Sequence, residues 1–179
     1  MDTKSTLSPA EIHHFHEHGY LIRKSAVEEN LLVELDKEFD QWMELCRMHD
    51  TNFGTTVDGK ARFDLEAGHT RDNPKLRRVA NPADISEKFQ KVLWDSPVTD
   101  MVADLIGPSI RFHHCKLNTK FPGMETVVYY HQDHSYDPHT NDDMLAILVM
   151  LDDSTVENGC LRIVPGLSLI HISEPTRPY

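Results

Sequence analysis

Cysteine is scarce in this chain of 179 residues: Cys46, Cys115 and Cys160 are odd in number, widely spaced and without any Cys-x-x-Cys pair. That excludes a disulfide framework and a cysteine-rich zinc site, and it is the usage expected in a reducing, cytoplasmic compartment. Basic residues are also few, 18 Lys and Arg against 29 Asp and Glu, which leaves a formal charge of -11. Such a field repels phosphate backbones and anionic headgroups, so neither nucleic acid nor a membrane surface is an expected partner. Long apolar runs are missing as well. The longest, residues 144–151, falls far short of a membrane span, and Met1-Asp2-Thr3-Lys4 opens no basic-then-apolar signal. There is no internal repeat and no low-complexity segment. What the chain has is average globular composition, 39% hydrophobic and 26% charged, and a length that buries one core. Its 12 histidines are the unusual count, and they direct where to look for chemistry.

The first half reads as helical. Ser8-Pro9-Ala10-Glu11 forms a capping box with proline at the first helical position, and Gly19 closes a helix over residues 9–18. Residues 20–23 are apolar enough for a brief strand. Leu31, Leu32, Leu35, Phe39, Trp42 and Met43 then recur at helical spacing. Residues 50–84 are polar, with scattered Gly and Pro, and read as extended loops. Two short helices follow over 85–94 and 98–106, the second stopped by Gly107-Pro108. His14 and His18 sit four apart on the first helix, but no third ligand type accompanies them, so they read as a solvated polar face.

After Gly107 the pattern changes to strands: alternation over 110–120, a turn at Pro122-Gly123, a β-branched and aromatic stretch over 126–131, a buried apolar run over 144–151 and a short one over 161–164. Helices first and several strands afterwards, without βαβ alternation, predict a mainly β, α+β domain with an antiparallel core and an N-terminal helical cover.

His131-Gln132-Asp133 ends the 126–131 strand. Residues i and i+2 of a strand share a face, so an imidazole and a carboxylate would stand side by side as two ligands of a His-x-Asp…His triad for non-haem Fe(II). The chain holds one His-x-Asp, about what 12 histidines and 17 aspartates supply by chance, so the surrounding motifs have to carry the inference. They do. Lys116-Leu-Asn-Thr-Lys-Phe-Pro-Gly123, Tyr130-His-Gln-Asp133, Pro138-His-Thr-Asn141, Leu151-Asp-Asp153, Glu157-Asn-Gly-Cys-Leu161 and Val164-Pro-Gly166 resemble the phytanoyl-CoA dioxygenase family in order and spacing. Leu7-Ser-Pro-Ala-Glu11 and Phe15-His-Glu-His-Gly-Tyr20 also resemble that family's first helix and strand.

The resemblance implies a double-stranded β-helix (jelly roll) that uses Fe(II) as metal, 2-oxoglutarate as co-substrate and O2 to hydroxylate a small organic or acyl substrate. It implies His131 and Asp133 as metal ligands, Lys116 and Asn118 as 2-oxoglutarate-binding residues, and no catalytic residue beyond the metal ligands. An aspartate at 133, where related halogenases carry a small residue, favours hydroxylation. His134 and His139 are expected at the substrate rim, and at most one of His113 and His114 faces the barrel interior.

The departure lies at the end. Relatives continue Pro-Gly-Ser-His and later supply a distal iron-binding His and an Arg for 2-oxoglutarate, whereas here Leu167 follows Pro165-Gly166. Residues 168–179 resemble translated sequencing adapter, and His171 and Arg177 follow the turn too closely to serve as that His and Arg. The expectation is therefore residues 1–166 as the N-terminal part of one dioxygenase domain, an incomplete jelly roll, with 167–179 a non-native tail. A jelly roll needs about eight strands, so on the order of 50 to 100 residues are missing and the chain as given is inactive. Two alternatives stand beside this. Tyr129-x-His131-x-Asp133-His134 is one residue from the zinc-hydrolase box of the metallo-β-lactamase fold, with Tyr129 in place of a histidine ligand. A non-catalytic jelly-roll binding module would lack the distal ligand by nature.

Overall fold

A computed structural model describes residues 5–122, 128–133 and 143–166. Among the described residues four α-helices, a short 3-10 helix (Pro82–Asp84) and four strands follow one another in mixed order. Helix α1 (Pro9–His18) begins as its sequence dictates. The Ser8 hydroxyl accepts from the Glu11 amide at 3.3 Å, the Glu11 carboxylate accepts from the Ser8 amide at 2.8 Å, and Gly19 closes the helix in the left-handed region at φ 77°. Helix α2 (Glu29–Cys46) buries the stripe Leu31, Leu35, Trp42 and Cys46. Helix α3 (Glu87–Trp94) is capped by Ser86, whose hydroxyl accepts from the Phe89 amide and donates to Glu38 of α2 at 2.7 Å. Helix α4 (Pro97–Ile106) ends where Gly107 donates its amide to Ala103.

Strands β1 (Phe53–Thr55), β2 (Ala61–Leu65), β3 (Leu76–Ala80) and β4 (Lys116–Asn118) form one antiparallel sheet in the order β1-β2-β3-β4. Phe63 opposes Val79 and Val79 opposes Leu117, so the three share the face that meets α2. The core there is Trp42, Cys46, Phe63, Leu76 and Val79. Trp42 stacks on Phe89 at 5.3 Å between ring centres and meets Phe63 edge-on at 6.0 Å. The other face of the sheet is polar. Asp64 opposes Arg78 while Leu65 opposes Leu76, which leaves Arg77 as the extra residue of a β-bulge.

The described residues divide into two compact units. One draws on the described residues within 1–26, 100–110 and 128–179, the other on those within 27–99 and 111–127. In the first, the Leu7 amide donates to Asp104 of α4 at 2.8 Å and Leu7 is buried. The second holds the sheet with α2 and α3.

The helices stand where the sequence places them, and helices plus an antiparallel sheet make a mixed α+β structure. The strands stand elsewhere. Residues 50–84, expected as loops, supply β1, β2 and β3. Their alternation is disguised because Arg62 and Asp64 are charged yet buried, and because the bulge at Arg77 breaks the period between Leu76 and Val79. The expected strand over 110–120 shortens to Lys116–Asn118. Residues 20–23, 128–131, 144–151 and 161–164 are not strands, and Met144, Ile147, Leu148, Met150, Leu161, Ile163 and Val164 are exposed rather than buried. A strand forms only where a neighbour supplies its ladder bonds, and among the described residues these segments have none. Residues 126 and 127 lie outside the described residues. No helix among the described residues is long and apolar enough to cross a membrane.

Candidate functional site

His131 and Asp133 come together without the strand that was expected to align them. His131 Nε2 lies 3.3 Å from Asp133 Oδ1, and its Nδ1 lies 2.8 Å from the carbonyl oxygen of Tyr129. A carbonyl only accepts, so Nδ1 carries the proton and donates it. In the neutral ring Nε2 is then left with its lone pair toward a carboxylate oxygen. Two electron-pair donors facing each other at 3.3 Å suit a shared proton or a cation. A histidine that fixes its ring by donating to a backbone carbonyl is also the usual arrangement of a metal-bound imidazole. Two ligands at right angles on one ion, with bonds of about 2.1 Å, stand about 3 Å apart, close to the spacing seen. The donor pair thus fits a divalent metal ion. Among the described residues no third His, Cys, Asp or Glu joins it.

Lys116 and Asn118 lie on β4 in the other unit. Both are exposed while Leu117 between them is half-buried, so strand alternation sets the two polar side chains on one face. Their cross-strand neighbours on β3 are Ala80 and Arg78. The strand is anchored on both sides. Asn81, in the left-handed region at φ 45°, exchanges backbone bonds with Cys115 at 2.9 Å and 3.2 Å through its amide and side-chain oxygen, and the Thr119 hydroxyl donates to Leu76.

Sequence reasoning missed the charged residues on this face. The Arg62 side chain is 8% exposed and donates to the carbonyls of Ala80 at 2.9 Å and Asn81 at 2.8 Å and to Asp84 at 3.2 Å. Asp64, equally buried, accepts from Arg77 at 2.9 Å and pairs with Arg78. The available signal was Arg62-Phe63-Asp64, charge either side of an aromatic at strand spacing, and the adjacent Arg77-Arg78 pair.

The remaining histidines behave variously. His14 and His18 stack at 4.3 Å, and the His18 ring contacts the His14 carbonyl rather than a shared ligand. His113 and His114 are both exposed, with their Nδ1 atoms 2.7 Å apart. His69 is held as the Nε2–H tautomer, because Nδ1 accepts from the Lys75 amide at 2.9 Å while Nε2 faces the His49 carbonyl at 3.0 Å. His134, His139, His171 and Arg177 lie outside the described residues. Burial raises the Cys46 thiol to about 11 and also raises that of Cys115, which keeps both as unreactive thiols.

Comparison with known proteins gives one family and several relatives. The model of the family described as phytanoyl-CoA dioxygenase matches residues 15–174, so the match continues past residue 166. Over 105 residues the chain is 33% identical to the probable alpha-ketoglutarate-dependent hypophosphite dioxygenase of Stutzerimonas stutzeri, covering 59% of this chain and 36% of that protein. It is 29% identical over 93 residues to the 2-aminoethylphosphonate dioxygenase of the uncultured bacterium HF130_AEPn_1, covering 52% and 36%. It is 28% identical over 116 residues to the ectoine dioxygenase of Streptomyces coelicolor, covering 62% and 38%. The chain thus spans little more than a third of the length of the curated relatives it matches. No solved structure matches it significantly.

Proposed function

The chain belongs to the phytanoyl-CoA dioxygenase family, and from that premise we propose that it is the front portion of an Fe(II)- and 2-oxoglutarate-dependent dioxygenase of jelly-roll fold. Its relatives are named for hypophosphite, 2-aminoethylphosphonate and ectoine, so the substrate class proposed is small, polar and charged. Family membership sets aside the metallo-β-lactamase alternative.

The observation that supports the reading best is the His131–Asp133 pair. The Tyr129 carbonyl accepts the hydrogen bond from His131 Nδ1–H, so in the neutral ring Nε2 carries the lone pair with which an imidazole binds metal. Asp133 adds a negative oxygen on the same side. Bound there, Fe(II) would supply a site at which 2-oxoglutarate and O2 generate the oxidant for substrate hydroxylation. Lys116 brings an ammonium and Asn118 an amide, the donors that a dicarboxylate requires, and β3–β4 pairing sets both on one face. Among the described residues two metal donors come together, and with the third assigned to the rest of the enzyme the 179 residues alone are proposed to be inactive.

The test is Fe(II) titration of the 179-residue chain followed by paramagnetic broadening of the His131 ring resonances, beside 2-oxoglutarate-dependent succinate release by the coding sequence extended in frame beyond codon 166. Asp133→Ala should weaken Fe(II) binding about tenfold or more and abolish succinate release. Unchanged broadening and turnover in Asp133→Ala would sink the ligand assignment. Stoichiometric iron and succinate release from the short chain would sink the claim of inactivity. An in-frame stop immediately after codon 179, with no turnover, would favour the binding module.

A further inference from the structure

Asparagine carries one reaction that needs no catalyst. The backbone nitrogen of the next residue attacks the side-chain carbonyl carbon, the new C–N bond closes a five-membered succinimide, and Nδ2 leaves as ammonia with the proton of the attacking amide. Water then opens either carbonyl of the ring, which gives aspartate or isoaspartate. Glycine as the next residue favours the attack, because it has no Cβ to crowd its nitrogen and turns freely. The chain has seven asparagines, at 30, 52, 73, 81, 118, 141 and 158, and Asn158 is the one that precedes glycine.

Local structure holds that reaction back. Asn158 is exposed to water, yet both polar atoms of its carboxamide are occupied. Oδ1 accepts from the Thr155 amide at 2.8 Å, and Nδ2 donates to the Asp153 carbonyl at 2.5 Å. In return the Asn158 amide donates to the Thr155 hydroxyl at 3.3 Å, so Thr155 and Asn158 cap each other as Ser8 and Glu11 do at the start of α1. The Cys160 amide closes the turn on the Thr155 carbonyl at 2.8 Å, with Gly159 in the left-handed region at φ 85°. Both bonds to the carboxamide come from residues before Asn158, whereas the attacking nitrogen lies after it. Ring closure therefore requires the side chain to release Thr155 and Asp153 first. Asp58-Gly59 offers the same step with a carboxylate. There the Thr56 hydroxyl and Lys60 hold the Asp58 carboxyl down at about 2, and an ionised carboxylate is a poor target for a nucleophile.

We propose that Asn158-Gly159 is a self-modification site gated by the 155–160 turn, protected while the turn is closed and converted to aspartate and isoaspartate when it opens. Either product adds a carboxylate to a stretch that already carries Asp152, Asp153 and Glu157, and removes the N–H that the Asp153 carbonyl accepts. Isoaspartate also lengthens the backbone by one methylene, so the turn cannot re-form as it was. The step consumes water alone and is independent of iron and of the dioxygenase reading.

The experiment incubates the 179-residue chain at neutral pH, folded and in guanidinium chloride. The peptide containing residue 158 is followed by mass spectrometry, with isoaspartate located by fragmentation. Conversion in denaturant should outpace that of the folded chain about tenfold or more. Thr155→Val removes the capping hydroxyl and should speed conversion of the folded chain about fivefold. Thr155→Pro also removes the N–H that Oδ1 accepts, and should bring the folded rate close to that in denaturant. Thr70→Val removes a hydroxyl that accepts from the Asn73 amide in another loop, and should leave the Asn158 rate unchanged. Far-ultraviolet circular dichroism checks that each variant keeps its helices, and if Thr155→Pro does not, Thr155→Val decides. Equal rates folded and denatured, a wild-type rate in Thr155→Val, equal acceleration in Thr70→Val, or aspartate without isoaspartate overturns the proposal.

Discussion

Arg62 brings a full charge into the sheet and is tolerated there because both Nη atoms of its guanidinium meet oxygens. Removing it would take a donor from the Ala80 carbonyl and leave the Asn81 carbonyl with the Asp84 amide, while half-exposed Asp84 would recover water. Arg62→Met should therefore cost about 2–3 kcal/mol, read as a lower urea midpoint with unchanged slope. Glu11 is the opposite case, a surface group with a local role. The Ser8 hydroxyl and the Ser8 amide, followed by Arg23, hold its carboxyl down at about 2 from an ordinary 4.5. A carboxyl whose pKa falls on folding stabilises the fold above its unfolded value, and that contribution fades as pH drops from about 4.5 toward about 2. In a side-chain carbon NMR titration Glu11 should still be ionised at pH 3.5, and Ser8→Ala should return its midpoint toward the ordinary range. His131 with Asp133 was legible as a close pair because a two-residue spacing favours proximity. The pairing of Asp64 with Arg77 and Arg78 was not, because it depends on which residues of β3 lie opposite β2.

The helices were legible because their signals are local. Ser8 with Glu11, Gly19, and Gly107 after Ile106 each act within one turn of the residue they cap. Strands depend on partners distant in sequence, and here the usual cue was reversed. The segment rich in glycine and charge, 50–84, contains three strands, while the apolar runs over 144–151 and 161–164 are exposed coil. The reversal has one physical origin: burial on the polar face is achieved by ion pairs, Arg62 with Asp84 and Asp64 with Arg77 and Arg78, rather than by alternating apolar residues. The element that gathers the sheet is α2, through Trp42 between Phe63 and Phe89. Trp42→Ala should cost about 3–5 kcal/mol and abolish the near-ultraviolet dichroism of the aromatic cluster, while α1, in the other unit, keeps its far-ultraviolet signal. Retention of the near-ultraviolet spectrum would show that α3 and the sheet hold together without it.

Across the whole molecule, acidic excess and exposed apolar side chains coexist. Val128, Tyr129, Tyr130, Ile147, Leu148, Leu161 and Val164 are at least half exposed or nearly so, an unusual load for a water-facing surface. The 179-residue chain should bind the dye ANS at neutral pH while retaining its helical dichroism, and extension of the reading frame should suppress that fluorescence. An absence of dye binding by the short chain would mean that these side chains are covered in solution. The long separation of β3 from β4 has a consequence in time. Synthesis completes β3 at Ala80 but does not reach the end of β4 until Asn118, so at about 5–20 residues per second the outer edge of β3 waits about two to eight seconds for its partner. An unpaired edge of that kind invites pairing with a strand from another nascent chain. The adjacent charges of Arg77 and Arg78 make the waiting edge a poor template for a stranger on the same polysome. The two arginines that helped to hide β3 from the sequence pattern thus also stand where an unpaired edge benefits from charge during the interval before β4 arrives.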